Sequence, residues 1–208
     1  MLKIIEKNSL FFSLYIISFF IVFFNTLNKP ILEATLYFSA HRTAFGDTFF
    51  SYWTLLGEAF PYLFVALFFY FYKKDKQTTL KIAVIGLIIL VVTFILKETF
   101  ASPRPASILE NMGLDDTFNF VSGTELNRGA TSFPSGHTAS AFALWGLFAF
   151  QFSRFKSVQI VLFLTAFLVG VSRVYLAQHF PQDGLFGSAI GISVAVFVES
   201  FFSKKSVI

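Results

Sequence analysis

The chain has 208 residues, of which 55% are hydrophobic and 13% are charged. An ordinary soluble domain carries about 25% charged residues, so this composition cannot cover a water-facing surface, and the same numbers exclude a disordered chain. The net charge is +4 and cysteine is absent, which excludes disulfides, thiolate nucleophiles and thiolate metal sites.

Six apolar segments follow one another along the chain and hold none of its charged residues. They are residues 9–28, 59–72, 82–96, 138–153, 157–172 and 184–198. A membrane-spanning helix needs about 20 mostly apolar residues, and a charge at its centre costs ~2.5–3.5 kcal/mol. We therefore predict an all-α integral membrane protein, a bundle of six transmembrane helices in a single domain of residues 1–208.

The lysines and arginines between these segments favour one orientation. With the N-terminus in the cytoplasm, ten of them fall on the cytoplasmic side and six on the outer side, as the positive-inside rule requires. The sequence therefore predicts two cytoplasmic termini and, in a bacterium, the inner membrane. Because the basic residues lie between apolar segments, we expect contact with membrane lipids and not with nucleic acid.

Two outer connections are long. Residues 29–58 mix aromatic residues with His41 and Arg42, which indicates short helices in the membrane interface. Residues 101–133 are rich in Pro, Gly and acids and predict a structured loop. The adjacent acids Asp115 and Asp116 could bind a cation, but such pairs are more often solvated, and we assign no metal.

Three positive side chains stand at the outer ends of predicted helices. Lys97 follows the third segment, Arg104 comes seven residues later, and Arg173 follows the fifth segment. On a continuous helix, seven residues make almost two turns, so Lys97 and Arg104 would share a face. Arginine suits bidentate binding of anions, and lysine acts as a point charge. These residues predict an anion site at the outer boundary.

The stretch Phe133-Pro134-Ser135-Gly136-His137 leads into the fourth segment. Proline suits a first helical turn. Ser135 and Gly136 would then present free backbone N–H groups at the positive end of the helix dipole, and Gly136 allows a close approach of the backbone. Together with the three cations, this stretch predicts a site for a phosphate oxyanion.

Two histidines complete the pattern. His179 lies four residues before Asp183, which can accept its hydrogen bond and leave the other ring nitrogen free to attack. His137 can protonate a leaving oxygen and later activate water. Structural alternatives stay open: Lys97 and Arg104 as snorkelling anchors, the histidines as packing residues, and Asp183 as a helix cap.

The motifs Lys97-x6-Arg104-Pro105, Pro134-Ser135-Gly136-His137 and Ser172-Arg173-x5-His179-x3-Asp183 occur in this order. They resemble those of the type-2 phosphatidic acid phosphatase superfamily, which includes bacterial membrane lipid phosphatases and soluble vanadium haloperoxidases. The resemblance implies that His179 forms a phosphohistidine, that Asp183 orients it, and that His137 is the general acid and then the base. It also implies phosphate contacts without any metal or other cofactor, from Lys97, Arg104, Ser135, Gly136 and Arg173.

The resulting prediction is a membrane lipid phosphate or diphosphate phosphatase with its site at the outer face. The frequency of activities in the family favours undecaprenyl diphosphate as substrate, then phosphatidylglycerophosphate, phosphatidic acid and lipid A phosphate. A vanadium haloperoxidase is one alternative, which six uncharged segments make improbable. A transporter or lipid-phosphate-binding protein is another, and it would bind phosphate without releasing it.

Overall fold

The computed structural model describes residues 1–114, 116–124 and 126–205, so that Asp115 of the predicted acidic pair lies outside the described residues. Within these ranges the chain is helical and contains no β-strand. The helices are α1 (Leu2–Lys7), α2 (Ser9–Thr26), α3 (Glu33–Ala40), α4 (Ala44–Trp53), α5 (Ala59–Leu67), α6 (Lys76–Phe100), α7 (Pro105–Asn111), α8 (Gly136–Gln151), α9 (Lys156–Tyr175) and α10 (Pro181–Lys205). A 3₁₀ turn, Thr54–Gly57, precedes α5, and a π-helical turn, Phe68–Tyr72, extends it.

Each predicted apolar segment coincides with a helix of this fold. Among the described residues, α2, α6, α9 and α10 are each long and apolar enough to cross a membrane, and α4 with α5 adds a fifth candidate if this pair, bent by 61°, forms one span. Helix α8 has 16 residues, about 24 Å at 1.5 Å per residue, which is less than the ~30 Å hydrocarbon core. The all-α membrane architecture is confirmed, and the count of six spans stays a prediction.

Helix α8 occupies the centre of the bundle and packs against α6, α9 and α10. Two glycines of α10 allow the closest of these approaches. A Cβ on Gly187 would lie 2.5 Å from the carbonyl oxygen of Ser135, and one on Gly191 would collide with the carbonyl oxygen of Ala139. Small residues four positions apart let two helices approach closely in a membrane. This contact holds the beginning of α10 against the beginning of α8.

The connection of residues 29–58 contains short helices, as the sequence predicted, and the predicted structured loop of residues 101–133 contains one as well. Helices α3 and α4 lie within residues 29–58, and α7 lies within residues 101–133. Thr43 caps α4, because its Oγ1 accepts a hydrogen bond from the Gly46 N–H. Pro105 occupies the first position of α7, where its missing N–H has no cost.

Candidate active site

The three sequence motifs meet at one end of the bundle, where α6 ends and α8 and α10 begin. The backbone N–H of Ser135 donates to the carbonyl oxygen of Asp183 at 3.0 Å. The Lys97 Nζ lies 3.8 Å from the position that a Cβ on Gly136 would take. His137 interacts electrostatically with four neighbours, namely Lys97, Arg104, Arg173 and His179. The fold thus brings together charged residues from all three motifs.

Lys97 and Arg104 do not share a helix face, and that prediction is wrong. Helix α6 ends at Phe100, and Ala101 takes a left-handed conformation with φ +43°. Pro103 follows, and Arg104 caps the start of α7 with an extended backbone. Proline disfavours the helical conformation of the residue that precedes it, which explains why α6 cannot continue to Arg104. The two cations still interact, because the chain turns back at this break.

Arg104 is held by neutral oxygens on two sides. Its Nη1 donates to the carbonyl oxygen of Gln178 at 2.9 Å, its Nη2 to the carbonyl oxygen of Thr131 at 3.2 Å, and its Nε to the Thr131 Oγ1 at 3.3 Å. Burial lowers the pKa of Arg104, and Asp183 opposes this effect, but a guanidinium remains charged in proteins. The result is a fixed positive charge beside the loop that carries His179.

Arg173 occupies the last turn of α9 and is also buried. Its Nη1 donates to the Thr54 Oγ1 at 2.7 Å, and its Nε has no hydrogen-bond partner in the described part of the chain. No ion pair among the described residues includes Lys97, Arg104 or Arg173. A buried cation without a carboxylate is costly unless an anion binds, so this arrangement is suited to a phosphate.

Ser135 does not offer the free N–H group that the sequence predicted. Its N–H donates to Asp183, and its Oγ lies 2.8 Å from the Thr138 Oγ1 and caps α8 by accepting from the Thr138 N–H. Ser135 is fully buried. It therefore shapes the start of α8, while Gly136 is the first helical residue, whose N–H has no acceptor within the helix.

Asp183 has more partners than the sequence predicted. Its Oδ2 accepts from the Ser132 Oγ at 2.6 Å and from the Phe180 N–H at 2.9 Å, and it lies 3.6 Å from the His179 Nδ1. The last distance is longer than a hydrogen bond. Asp183 caps α10 and binds Ser132, and the His179 ring lies beside it without a hydrogen bond. The orienting role of Asp183 stays a prediction.

His179 is 1% exposed. Burial is the main reason why the pKa of His179 lies below its ordinary value, and Arg173 and Arg104 act in the same direction. The imidazole is therefore neutral at physiological pH, and a neutral ring nitrogen has the lone pair that a nucleophile needs.

His137 lies in the first turn of α8 and contacts an acid from another element. Its Nε2 is 3.7 Å from the Oε1 of Glu58, which caps the beginning of α5. The His137 side chain is 30% exposed, in contrast to His179. A partly open imidazole next to a buried one matches a pair in which one ring attacks and the other exchanges protons with solvent.

Sequence reasoning missed several residues that hold this site in place: Thr54, Glu58, Thr131 and Ser132. They belong to none of the three motifs and reach the site through packing over long sequence separations, for example 119 residues between Thr54 and Arg173. Within the described residues, no group of three His, Asp or Glu side chains is arranged to hold a metal ion.

Comparison with known proteins places this site in a family. The model of the PAP2 superfamily matches residues 78–206. The lipid A 4′-phosphatase of Porphyromonas gingivalis is 29% identical over 175 residues, which are 84% of this chain and 67% of that protein. Phosphatidylglycerophosphatase B of Bacillus subtilis is 33% identical over 87 residues, which are 38% of this chain and 43% of that protein.

A solved structure shares the fold. The crystal structure of a transmembrane PAP2-type phosphatidylglycerolphosphate phosphatase from Bacillus subtilis superimposes with a TM-score of 0.67, covers 95% of this chain and 96% of that one, and is 22% identical. The family match spans more than half of the chain and contains all three motifs. The resemblance seen in the sequence is therefore confirmed, and the chain is an integral membrane protein that belongs to the PAP2 superfamily.

Proposed function

We propose that this protein hydrolyses a lipid phosphate or diphosphate at the site formed by the three motifs. One observation carries the proposal. A cavity of about 520 Å³ lies between α5 and α6, and its lining includes Gly136 and His137 at the end where the motifs meet. An apolar groove that ends at a cationic cluster fits a substrate with a hydrocarbon tail and a phosphate headgroup.

The walls of this groove support a lipid substrate. Leu63 on α5 and Leu87 and Leu90 on α6 line it, and each of these side chains is exposed at the surface of the bundle. Large apolar side chains on a membrane-spanning helix face lipid, so the groove is open to the bilayer on this side. A tail can then remain among apolar side chains while the headgroup reaches His137.

The chemistry follows from the two histidines and the fixed cations. A neutral ring nitrogen of His179 attacks phosphorus, the bond to the leaving oxygen breaks, and His137 gives its proton to that oxygen. Water then attacks the phosphohistidine and passes a proton to His137, and the P–N bond breaks to release phosphate. Lys97, Arg104 and Arg173 stabilise the equatorial oxygens in both steps.

We extend the same proposal to the substrate, the orientation in the membrane and the compartment. The charge bias supports a site at the outer face of the membrane with both termini in the cytoplasm, and in a bacterium we infer that the membrane is the inner one. Undecaprenyl diphosphate remains the first candidate substrate. Phosphatidylglycerophosphate, phosphatidic acid and lipid A phosphate follow. Relatives named for activity on phosphatidylglycerophosphate and on lipid A support two of these three.

Phosphate release by the detergent-solubilised protein from a panel of lipid phosphates tests the proposal. We expect release to survive EDTA and to fall at least ~1000-fold in His179→Ala, because the nucleophile is lost. The matched control is His41→Ala, since His41 is exposed and stacks on Tyr37. Binding of lipid phosphate without release by the wild-type protein would instead support a transporter or a binding protein.

A further inference from the structure

Glu58 is an acidic residue at the site that the mechanism above does not use. It stands at the junction between the 3₁₀ turn Thr54–Gly57 and α5, where the chain bends by 61°. Its Oε1 lies 3.7 Å from the His137 Nε2, and its charge also attracts Arg173. It lines the groove between α5 and α6 next to His137.

The backbone before Glu58 is held tightly against His137. A Cβ on Gly57 would lie 2.7 Å from the carbonyl oxygen of His137 and 2.7 Å from the Val169 Cγ1. Only a residue without a side chain permits this approach. The Arg173 Nη1 bond to the Thr54 Oγ1 fixes the other end of the same turn. The backbone that leads into Glu58 is therefore held beside His137 at both ends of this turn.

The charges around His137 explain why an acid is needed there. Burial is the main effect that opposes protonation of His137. The positive charges of Lys97 on α6, Arg104 before α7 and Arg173 on α9 act in the same direction, as His179 before α10 would if it were protonated. A general acid must carry its proton when the substrate arrives. Among the described residues, Glu58 is the carboxylate that pairs with His137, whereas Asp183 lies next to His179 and accepts from Ser132 and the Phe180 N–H.

We propose that Glu58 is a positioning residue that favours the protonated form of His137 and directs its ring into the groove, an inference that rests on the proposed phosphatase function. The carboxylate offsets the neighbouring cations in the free protein. Glu58 does not touch the reacting atoms and acts through the imidazole of His137. Its effect is therefore largest where protonation of the leaving oxygen limits the rate.

Two substrates with the same tail separate this role from general binding. A lipid monophosphate expels an alkoxide, which needs a proton, whereas a lipid diphosphate expels the lipid monophosphate, a much better leaving group. For Glu58→Gln we expect kcat to fall at least 10-fold with the monophosphate and less than 3-fold with the diphosphate, with little change in KM. The alkaline limb of kcat against pH should move down by about one unit, and Glu58→Asp should restore part of the rate.

The matched control is Glu98→Gln, which removes one negative charge next to Lys97 in the sequence and leaves Glu58 in place. Equal effects of Glu58→Gln and Glu98→Gln would show a general charge effect and overturn the inference. An active Glu58→Gln variant with an unchanged pH profile and the same loss on both substrates would also overturn it.

A measurement without turnover keeps this inference distinct from the proposed function. The chain has three histidines, so histidine-labelled protein in phosphate-free detergent gives a simple NMR spectrum, with His137→Gln to assign the resonance. We expect the titration midpoint of His137 to move to lower pH by about one unit in Glu58→Gln and to stay in place in Glu98→Gln. An unmoved midpoint contradicts the role of Glu58, whereas an inactive wild-type protein with a moved midpoint contradicts only the phosphatase proposal.

Discussion

Two buried groups of charges at opposite ends of the bundle are built in different ways. At the end where α10 finishes, the Lys81 Nζ lies 2.8 Å from the Glu199 Oε2, and the Gln151 Nε2 donates to the same oxygen at 3.0 Å. At the other end, Arg104 and Arg173 donate to carbonyl and hydroxyl oxygens. In the first group the Glu199 carboxylate neutralises the Lys81 charge. In the second group the oxygens that bind the two arginines are neutral, so the positive charge remains available to bind an anion.

The difference separates a structural ion pair from a binding site. A buried cation with a carboxylate partner contributes little net stability, but it is costly to break. A buried cation held by neutral oxygens is unfavourable until an anion arrives. Stability and activity should therefore respond in opposite ways when the two groups are altered.

The largest expected effect is a loss of stability when the ion pair between Lys81 and Glu199 is broken. Lys81→Met leaves the Glu199 carboxylate buried without its cation, and we expect the free energy of unfolding to fall by about 3–5 kcal/mol. Phosphate release per folded molecule should stay the same, because Lys81 is far from the motifs. Thermal unfolding in detergent, combined with an activity assay on the folded fraction, measures both quantities.

The matched control for Lys81 is the double variant Lys81→Met with Glu199→Leu, which removes both charges. It should recover most of the lost stability, since two apolar side chains can replace an ion pair. A double variant as unstable as the single one would show that this end depends on the hydrogen bonds of Glu199 more than on charge balance.

Arg173→Leu should lower the activity and leave the stability intact, which is the opposite of the outcome expected for Lys81→Met. We expect kcat/KM to fall about 100- to 1000-fold, because one donor to the transition-state oxygens is lost. The free energy of unfolding should stay constant or rise, since a buried cation without a carboxylate disappears. Arg173→Lys keeps the charge and loses the planar donors, so its activity should lie between those of the wild-type protein and Arg173→Leu. A large loss of stability in Arg173→Leu would show that Arg173 stabilises the fold, as the Lys81–Glu199 pair does.

The sequence allowed the helices and the charged residues of the site to be predicted, because apolar segments and motif spacing are local properties. It did not allow the break of α6 to be predicted, although Pro103 in the sequence 101–105 carried the signal. Glu58 belongs to none of the three motifs and lies at the end of the predicted connection of residues 29–58. Its position depends on how Gly57 packs against His137 across 80 residues, and such contacts between distant segments cannot be read from spacing.

Stabilisation by bound inorganic phosphate is a smaller expected effect, and it tests the site without turnover. An anion that binds only the folded protein at 100 times its dissociation constant adds about 2.7 kcal/mol of stability. We expect phosphate to raise the unfolding temperature of the wild-type protein and of Lys81→Met by similar amounts, and that of Arg173→Leu much less. Sodium chloride at equal ionic strength controls for salt, and an equal response of all three proteins to phosphate would contradict a phosphate site at Arg173.

The smallest expected effect concerns the protonation of His179. Its pKa lies below the ordinary value in the folded protein, mainly because of burial, whereas in the unfolded chain it lies near 6.5. As the pH falls from 7 to 5, the unfolded chain takes up a proton that the folded protein does not bind, and stability decreases by about 1–2 kcal/mol. We expect His179→Asn to lose less stability than the wild-type protein over this range, and His41→Asn to follow the wild type. Equal losses in all three proteins would mean that His179 is not held neutral in the fold, and a neutral imidazole is the condition for its attack on phosphorus.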